Sequence, residues 1–303
     1  MKSNIVQVRL KKDLFVTYPV PDGEYPDITW DIIWDLLDMY EHNFDFLIIY
    51  TAYDYVCGAH SSIRGDQDVS GIGLSVHDVS SIDGMLHCCF MCHINRFTNI
   101  EEGIWKRSLI VEMLHRWLVY ICHDCDYCVN LTNKWLHELH NWSWAYWNPY
   151  ASFGKYDPMF GSHWIDNGDG TFTSAPYDNK LTLNELDMYL LGLIHPEEVK
   201  SDIFWIEPEE PYENLPATIT PRKTIEGTAH YVTIDDIIQC EGLREPTPET
   251  SKKDYTALFV LFYHESEGYT SEQAYKLNYI AQNLPSLWSE VTHGKSTVRV
   301  VVP

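Results

Sequence analysis

Three residues within five positions have the types and spacing for hydrolytic chemistry: Val111, Glu112 and His115, inside the run IWKRSLIVEMLHRWLVYI at 104–121. A zinc-binding helix of the His-Glu-x-x-His kind sets two imidazoles one turn apart. Its glutamate stands beside the metal, placed to take a proton from bound water. Here the second imidazole is His115 and the glutamate is Glu112, but the first position is Val111, which has no donor atom. A second pattern, Leu136-His137-Glu138-Leu139-His140, spaces its histidines three apart and carries Asn141 where the returning imidazole would fall. At that spacing His137 and His140 share a helical face. His115, His140 and His137 therefore form a candidate three-imidazole set for zinc, with Glu112 or Glu138 as the base. The competing reading is that paired histidines on an aromatic-rich helix are simply packed or hydrogen-bonded.

Other residues carry weaker signals. Cys89-x-x-Cys92 and Cys125-x-x-Cys128 have the internal spacing of a structural zinc knuckle or of a disulfide cluster, with Cys122, His93 and His123 nearby in sequence. Buried free thiols are the plain alternative, and Cys57 and Cys240 stand alone. Arg64-Gly65-Asp66 matches an integrin-binding tripeptide, a match too short to specify adhesion. The aspartates of WIDNGDGTF at 164–172 do not follow the spacing of an EF-hand loop, so a bland turn is preferred over calcium. Trp135, Trp142, Trp144, Trp147, Tyr146 and Tyr150 would suit either a stacking groove for aromatic or sugar groups or the core beneath a cleft.

The elements that must position these groups are readable from periodicity. Trp105, Leu109, Met113, Trp117 and Ile121 recur every four residues, which predicts a helix over 104–121. Apolar runs at 44–53 and 256–265 predict buried strands, and 85–95 predicts a third, placed at the sheet edge over the cleft. Further strands are expected in 4–17, 71–79 and 296–302, and 19–27 reads as a turn-rich connection. Asn167-Gly168 and Asp169-Gly170 supply turn residues for a hairpin over 161–174. Helices are expected over 30–40, at the start of 131–147, over 181–194 with Gly192 marking its end, within 232–242, and over 270–292 with a break or kink at Pro285. Residues 196–227 read as a Pro- and Glu-rich excursion with short strands.

Composition bounds the function classes. The chain has 303 residues, 45% of them hydrophobic, enough for a real core. Its formal charge of −23 repels phosphate backbones and anionic lipid, which sets aside nucleic-acid and membrane-surface binding. No apolar run reaches the roughly 20 residues of a membrane span. MKSNIVQVRLKKDLFV lacks the apolar block of a secretory signal, so the chain is expected either to stay in the cytoplasm or to be a secreted form with its signal removed.

The order of blocks along 44–303 resembles a family of bacterial zincin-like metallopeptidases. The likeness is carried by Phe44 to Tyr50 with Gly71 to Leu74, by Val111 to Trp117 against a His-Glu-x-Gly-His-Arg-Trp helix, and by His140 to Ser143 against a His-Trp-Ser element. Trp164 to Phe172, Leu183 to Val199 and the C-terminal VTIDDII with Thr292-His293-Gly294 complete it. The chain departs from that pattern at Val111 and at Asn141, which separates His140 from Trp142. The resemblance implies an α+β, zincin-like fold: a mixed sheet packed on an active-site helix, with residues 1–179 as that part and 180–303 as a helical and strand subdomain continuous with it. It implies zinc as cofactor, Glu112 as general base, His115 and His140 as ligands, and a peptide or protein as substrate. Val111 points to the alternative, an inactive pseudopeptidase that binds a peptide or protein in the same cleft. A third reading, carbohydrate binding, rests only on the density of Trp and Tyr.

Overall fold

The run around TALFVLFYH is the most apolar in the chain, and it forms the middle of the main sheet. The structure, a computed structural model, describes residues 4–10, 15–20, 23–28, 44–53, 60–62, 68–74, 88–123, 146–177, 180–210 and 219–302. In it Asp254–His264 is an eleven-residue strand, β12, whose residues 257 to 262 are fully buried. On one side β12 pairs in parallel with β4 (Phe46–Thr51). On the other it pairs with β1 (Val6–Leu10) and β13 (Thr297–Val301), each along a different half of its length. β4 in turn pairs in parallel with β6 (Cys88–His93), and β5 (His60–Ser62) closes the row antiparallel to β6. A parallel sheet hides both faces, which is why β4 and β12 read as continuous apolar runs and not as alternating ones.

A second sheet is antiparallel throughout. It runs β7 (Ala151–Ser152), β10 (Ile203–Pro208), β11 (Thr224–Val232), β9 (Thr171–Ser174), β8 (Trp164–Asp166), around a small core of Tyr150, Trp164, Phe172, Phe204 and Ile206. A separate hairpin joins β2 (Phe15–Val20) to β3 (Gly23–Ile28). The described helices are α1 (Ile104–Leu114), α2 (Glu185–Leu190), α3 (Ile234–Glu241) and α4 (Ser271–Val291). The fold class is thus mixed α+β with parallel and antiparallel pairing and, among the described residues, few helices. Strands from both sides of residue 180 share both sheets. None of the described helices is long and apolar enough to cross a membrane.

Several boundaries differ from the periodicity reading. The helix expected over 104–121 stops at Leu114, with His115 as its C-cap, and Val119 takes φ 74°. Trp117 and Ile121 keep their four-residue spacing but are buried from a turn and not from a helix. Strand β6 is an interior strand; the edge over the helix is β5. The connection at 19–27 contains most of β3. Residues 71–74 bend instead of extending, because Gly71 and Gly73 have φ of 72° and 78°. A side chain at Gly73 would strike the Tyr120 carbonyl. The helix expected over 181–194 is shorter, capped by Asn184, whose side chain accepts from the Asp187 amide at 2.8 Å. α4 runs through Pro285 without interruption, held by Leu284, Leu287 and Trp288 in the core. The segment 30–40 and nearly all of 131–147 lie outside the described residues.

Gly192 ends α2 in the left-handed region, φ 72°, against the buried Arg244. The Arg244 guanidinium donates to the Leu190 carbonyl at 3.0 Å and the Ser251 hydroxyl at 2.6 Å, taking up a carbonyl that the helix end leaves open. An added methyl group at Gly192 would overlap both Arg244 and Ser251. Gly192→Ala is therefore expected to destabilise the chain by about 2–5 kcal/mol, the sum of left-handed strain and overpacking. Urea denaturation measures this; an unchanged midpoint would show that Arg244 moves aside freely.

Candidate functional site

α1 delivers Glu112 and His115 because its two ends are anchored. At the start, Gly103 turns the chain with φ 78°, and the buried Trp105 donates its indole N–H to the Ile100 carbonyl at 2.9 Å. At the other end Trp117 packs among Phe46, Tyr255 and Trp288, with ring centroids 5.5 to 6.5 Å apart. The Tyr120 hydroxyl donates to the His115 carbonyl at 2.7 Å. The helix packs beside β5 and β6 on one side and touches α4 on another.

Glu112 and His115 are buried, 5% and 8% exposed, and both belong to the neighbourhood of Tyr146. The His115 ring lies 5.7 Å from the Tyr146 ring. Burial raises the pKa of the Tyr146 phenol, and the Glu112 charge raises it further, against the opposing pull of Arg107. Burial pulls the His115 imidazole down from 6.5 to about 4, so it is neutral at pH 7. Neutral imidazole is the form that coordinates a metal or accepts a proton. Val111, 3% exposed, occupies the first motif position with an aliphatic side chain.

Tyr146 is also a wall of a cavity of about 480 Å³. Arg107, Trp147, Tyr156, Phe160 and Tyr177 line it as well. Tyr146 meets Phe160 edge-on at 4.9 Å, and the Arg107 guanidinium sits 4.0 Å from the centre of the Phe160 ring. Of the aromatic residues singled out by composition, Trp147 and Tyr150 are buried in the core, and Tyr146 and Trp147 line the cavity.

Next to this cavity lies a feature that the sequence reading missed. Asp157 and Asp187 are both buried carboxylates, 3% and 0% exposed. Asp157 accepts from the Gly161 amide at 3.1 Å and from the Asn184 side chain at 2.9 Å. Asp187 accepts from the Trp147 indole at 3.0 Å, while its other oxygen, Oδ2, is buried without a hydrogen-bond partner. Gly161 is glycine because a side chain there would land on the Asp157 carboxylate. Burial is the first cause that raises both acids, Asp157 to about 6; for Asp187 the Asp157 charge adds to it. The available signal was an acid at 187 on the same short helix as the buried Leu186 and Leu190.

The predicted ligand set is only partly in view. His115 and Glu112 are both buried near Tyr146. His137, His140, Cys125 and Cys128 lie outside the described residues. Cys89 and Cys92 both fall in β6. Cys122 and Cys240 are each disulfide-bonded, so Cys240 is not an isolated thiol. Among the described residues, no three His, Cys, Asp or Glu side chains group as a metal site. The described donors therefore do not complete a three-ligand zinc centre: α1 contributes one imidazole, and Val111 contributes none. No family model matches the chain, no curated protein matches it, and no solved structure matches it.

The acid pair sets a pH dependence. A carboxyl whose folded pKa is raised keeps its proton where the unfolded chain has released it. Its contribution is most favourable at low pH and is lost as pH climbs from about 4 through 6 and beyond. Asp187→Asn keeps an oxygen to accept from Trp147 and removes the second charge. It is expected to stabilise the chain by roughly 2 kcal/mol at pH 8 and to change little at pH 4. Thermal melts across that range measure it, and a gain at pH 4 as large as at pH 8 would rule out charge as the cause.

Proposed function

We propose that the chain is a zincin-like protein of metallopeptidase descent that hydrolyses peptide bonds in the hollow beside the C-terminal end of α1. The observation that carries this reading is the placement of Glu112 and a neutral His115 one turn apart at that end, both beside Tyr146 on the wall of a cavity. A mixed sheet whose antiparallel edge strand, β5, lies alongside the same helix supports it. In this reading Glu112 is the general base, and His115, His140 and His137 hold zinc. Zinc, when bound, lowers the pKa of a coordinated water toward about 7. The chain's own contribution is to hold His115 neutral by burial, and Glu112 would serve as the base for such a water.

Val111 favours a second reading, a pseudopeptidase that binds a peptide or protein in the same hollow without cutting it. Two imidazoles bind zinc weakly, and a buried valine cannot replace the third. The two readings part on measurement. Protein purified without added metal should carry about one zinc per chain and cleave unstructured peptides, and Glu112→Gln should slow cleavage by about 10²–10⁴-fold. Peptide binding with neither zinc nor cleavage selects the second reading. Val111→His should raise zinc affinity in either case; no gain at all would mean that α1 is not a metal helix.

A further inference from the structure

The cavity beside Tyr146 combines aromatic walls with one cation. Arg107 reaches it from α1, one turn and a half before Glu112. Its Nε donates to the Pro158 carbonyl at 3.2 Å and its Nη2 to the Asp157 main-chain carbonyl at 3.1 Å. The remaining terminal nitrogen, Nη1, has only the Tyr177 hydroxyl, at 3.5 Å, the outer limit of a hydrogen bond. Among the described residues no carboxylate lies within ion-pair distance of Arg107. The Asp157 carboxylate takes its hydrogen bonds from Gly161 and Asn184 and feels Arg107 only as a nearby charge, which lowers its pKa against the effect of burial. The chain has 44 acidic residues against 21 basic ones, so a cation at this cavity is a local departure from the overall charge. The guanidinium stands fixed over Phe160 with donors to spare, and a planar fork of N–H groups is the shape that a carboxylate accepts.

We infer that this cavity receives the C-terminal residue of a peptide, with a large aromatic side chain among Tyr146, Tyr156 and Phe160 and the free carboxylate on Arg107. The volume of about 480 Å³ lies in the range that holds a ligand of that size. The inference deepens the peptide-cleft reading and rests on it for the word peptide: Tyr146 is shared between the cavity and His115, so a C-terminal residue held here leaves the bond before it on the side of Glu112 and His115. The chemistry of capture, an aromatic group next to an anion, does not depend on zinc.

The test uses the full chain, stripped of metal with EDTA, and isothermal titration. N-acetyl-L-phenylalanine should bind at least about 10-fold more tightly than N-acetyl-L-phenylalaninamide, the difference a charge-assisted pair makes. Arg107→Gln should bring the two affinities together, and Phe160→Ala should weaken both ligands. 3-Phenylpropionate separates a peptide terminus from a free aromatic acid, and it should bind more weakly than the acetylated amino acid. Equal affinity for acid and amide in the unmodified chain overturns the proposal, as does an acid preference that survives Arg107→Gln. 3-Phenylpropionate binding as tightly as the acetylated amino acid overturns the peptide terminus. The acid-against-amide comparison needs no variant, so a misfolded Arg107→Gln does not shelter the idea. Because zinc is absent throughout, failure here is distinct from failure of the hydrolytic reading, which the zinc content and the Glu112→Gln comparison decide.

Discussion

The parallel register between β4 and β12 governs where everything else can sit, and one buried carboxylate pins it. Asp45, 2% exposed, accepts from the Thr256 amide at 2.8 Å and the Thr256 hydroxyl at 2.9 Å, pairs with Lys252, and returns its own amide to the Thr256 carbonyl at 2.9 Å. Sliding either strand by one residue would break these bonds and turn each apolar side chain to the opposite face. In the observed register Phe46, Ile48 and Tyr50 stand level with Ala257, Phe259 and Leu261, and this set packs into the same core as α1 and α4. Trp117 is wedged into that core against Phe46 and Trp288. The turn that carries His115 is thereby tied to the centre of the sheet.

The cost of that arrangement falls on polar groups near the hollow. A histidine this buried gives up its charge, and two buried acids close enough to feel one another cannot both ionise cheaply. Hydrogen bonds from Trp147, Asn184 and Gly161 offset part of the penalty, and the bare Oδ2 of Asp187 shows where they do not. Groups held in an unusual protonation state beside a cavity mark candidate working sites, although purely structural networks shift titration in the same way. Here the shifted groups flank Tyr146 and Trp147, both of which line the cavity.

Much of the scaffold was legible because it obeys local rules. The run at 44–53, the long apolar strand near the C-terminus and the hairpin at Asn167-Gly168 and Asp169-Gly170 all appear, the last with φ of 77° and 83° at its glycines. Thr270 caps α4, with Gln273 completing a capping box. Misreadings arose where distant contacts outweighed local pattern. Trp117 and Ile121 continued the helical period, yet the aromatic cluster rewards their burial equally well from a turn. The edge position of β5 depends on pairing across the sheet, which three polar-flanked residues do not announce. The acid pair was hidden because Asp157 and Asp187 are 30 positions apart and each alone resembles an ordinary loop or helix-start acid.

What the sequence by itself determined is the inventory and the local grammar: an acidic chain with a substantial core, the apolar strands, the caps and glycine turns, and the tight spacing of Glu112 and His115 with a donorless Val111 before them. Those follow from side-chain chemistry and short-range geometry, which adjacent residues settle among themselves. Only the tertiary structure decided that α1 stops at His115, that β5 and not β6 is the edge, that Tyr146 bridges the motif to an aromatic cavity, and that Arg107 stands there with no described carboxylate in ion-pair contact. The physical reason is that burial and charge pairing are properties of neighbours in space, and in this chain those neighbours lie tens to hundreds of positions apart.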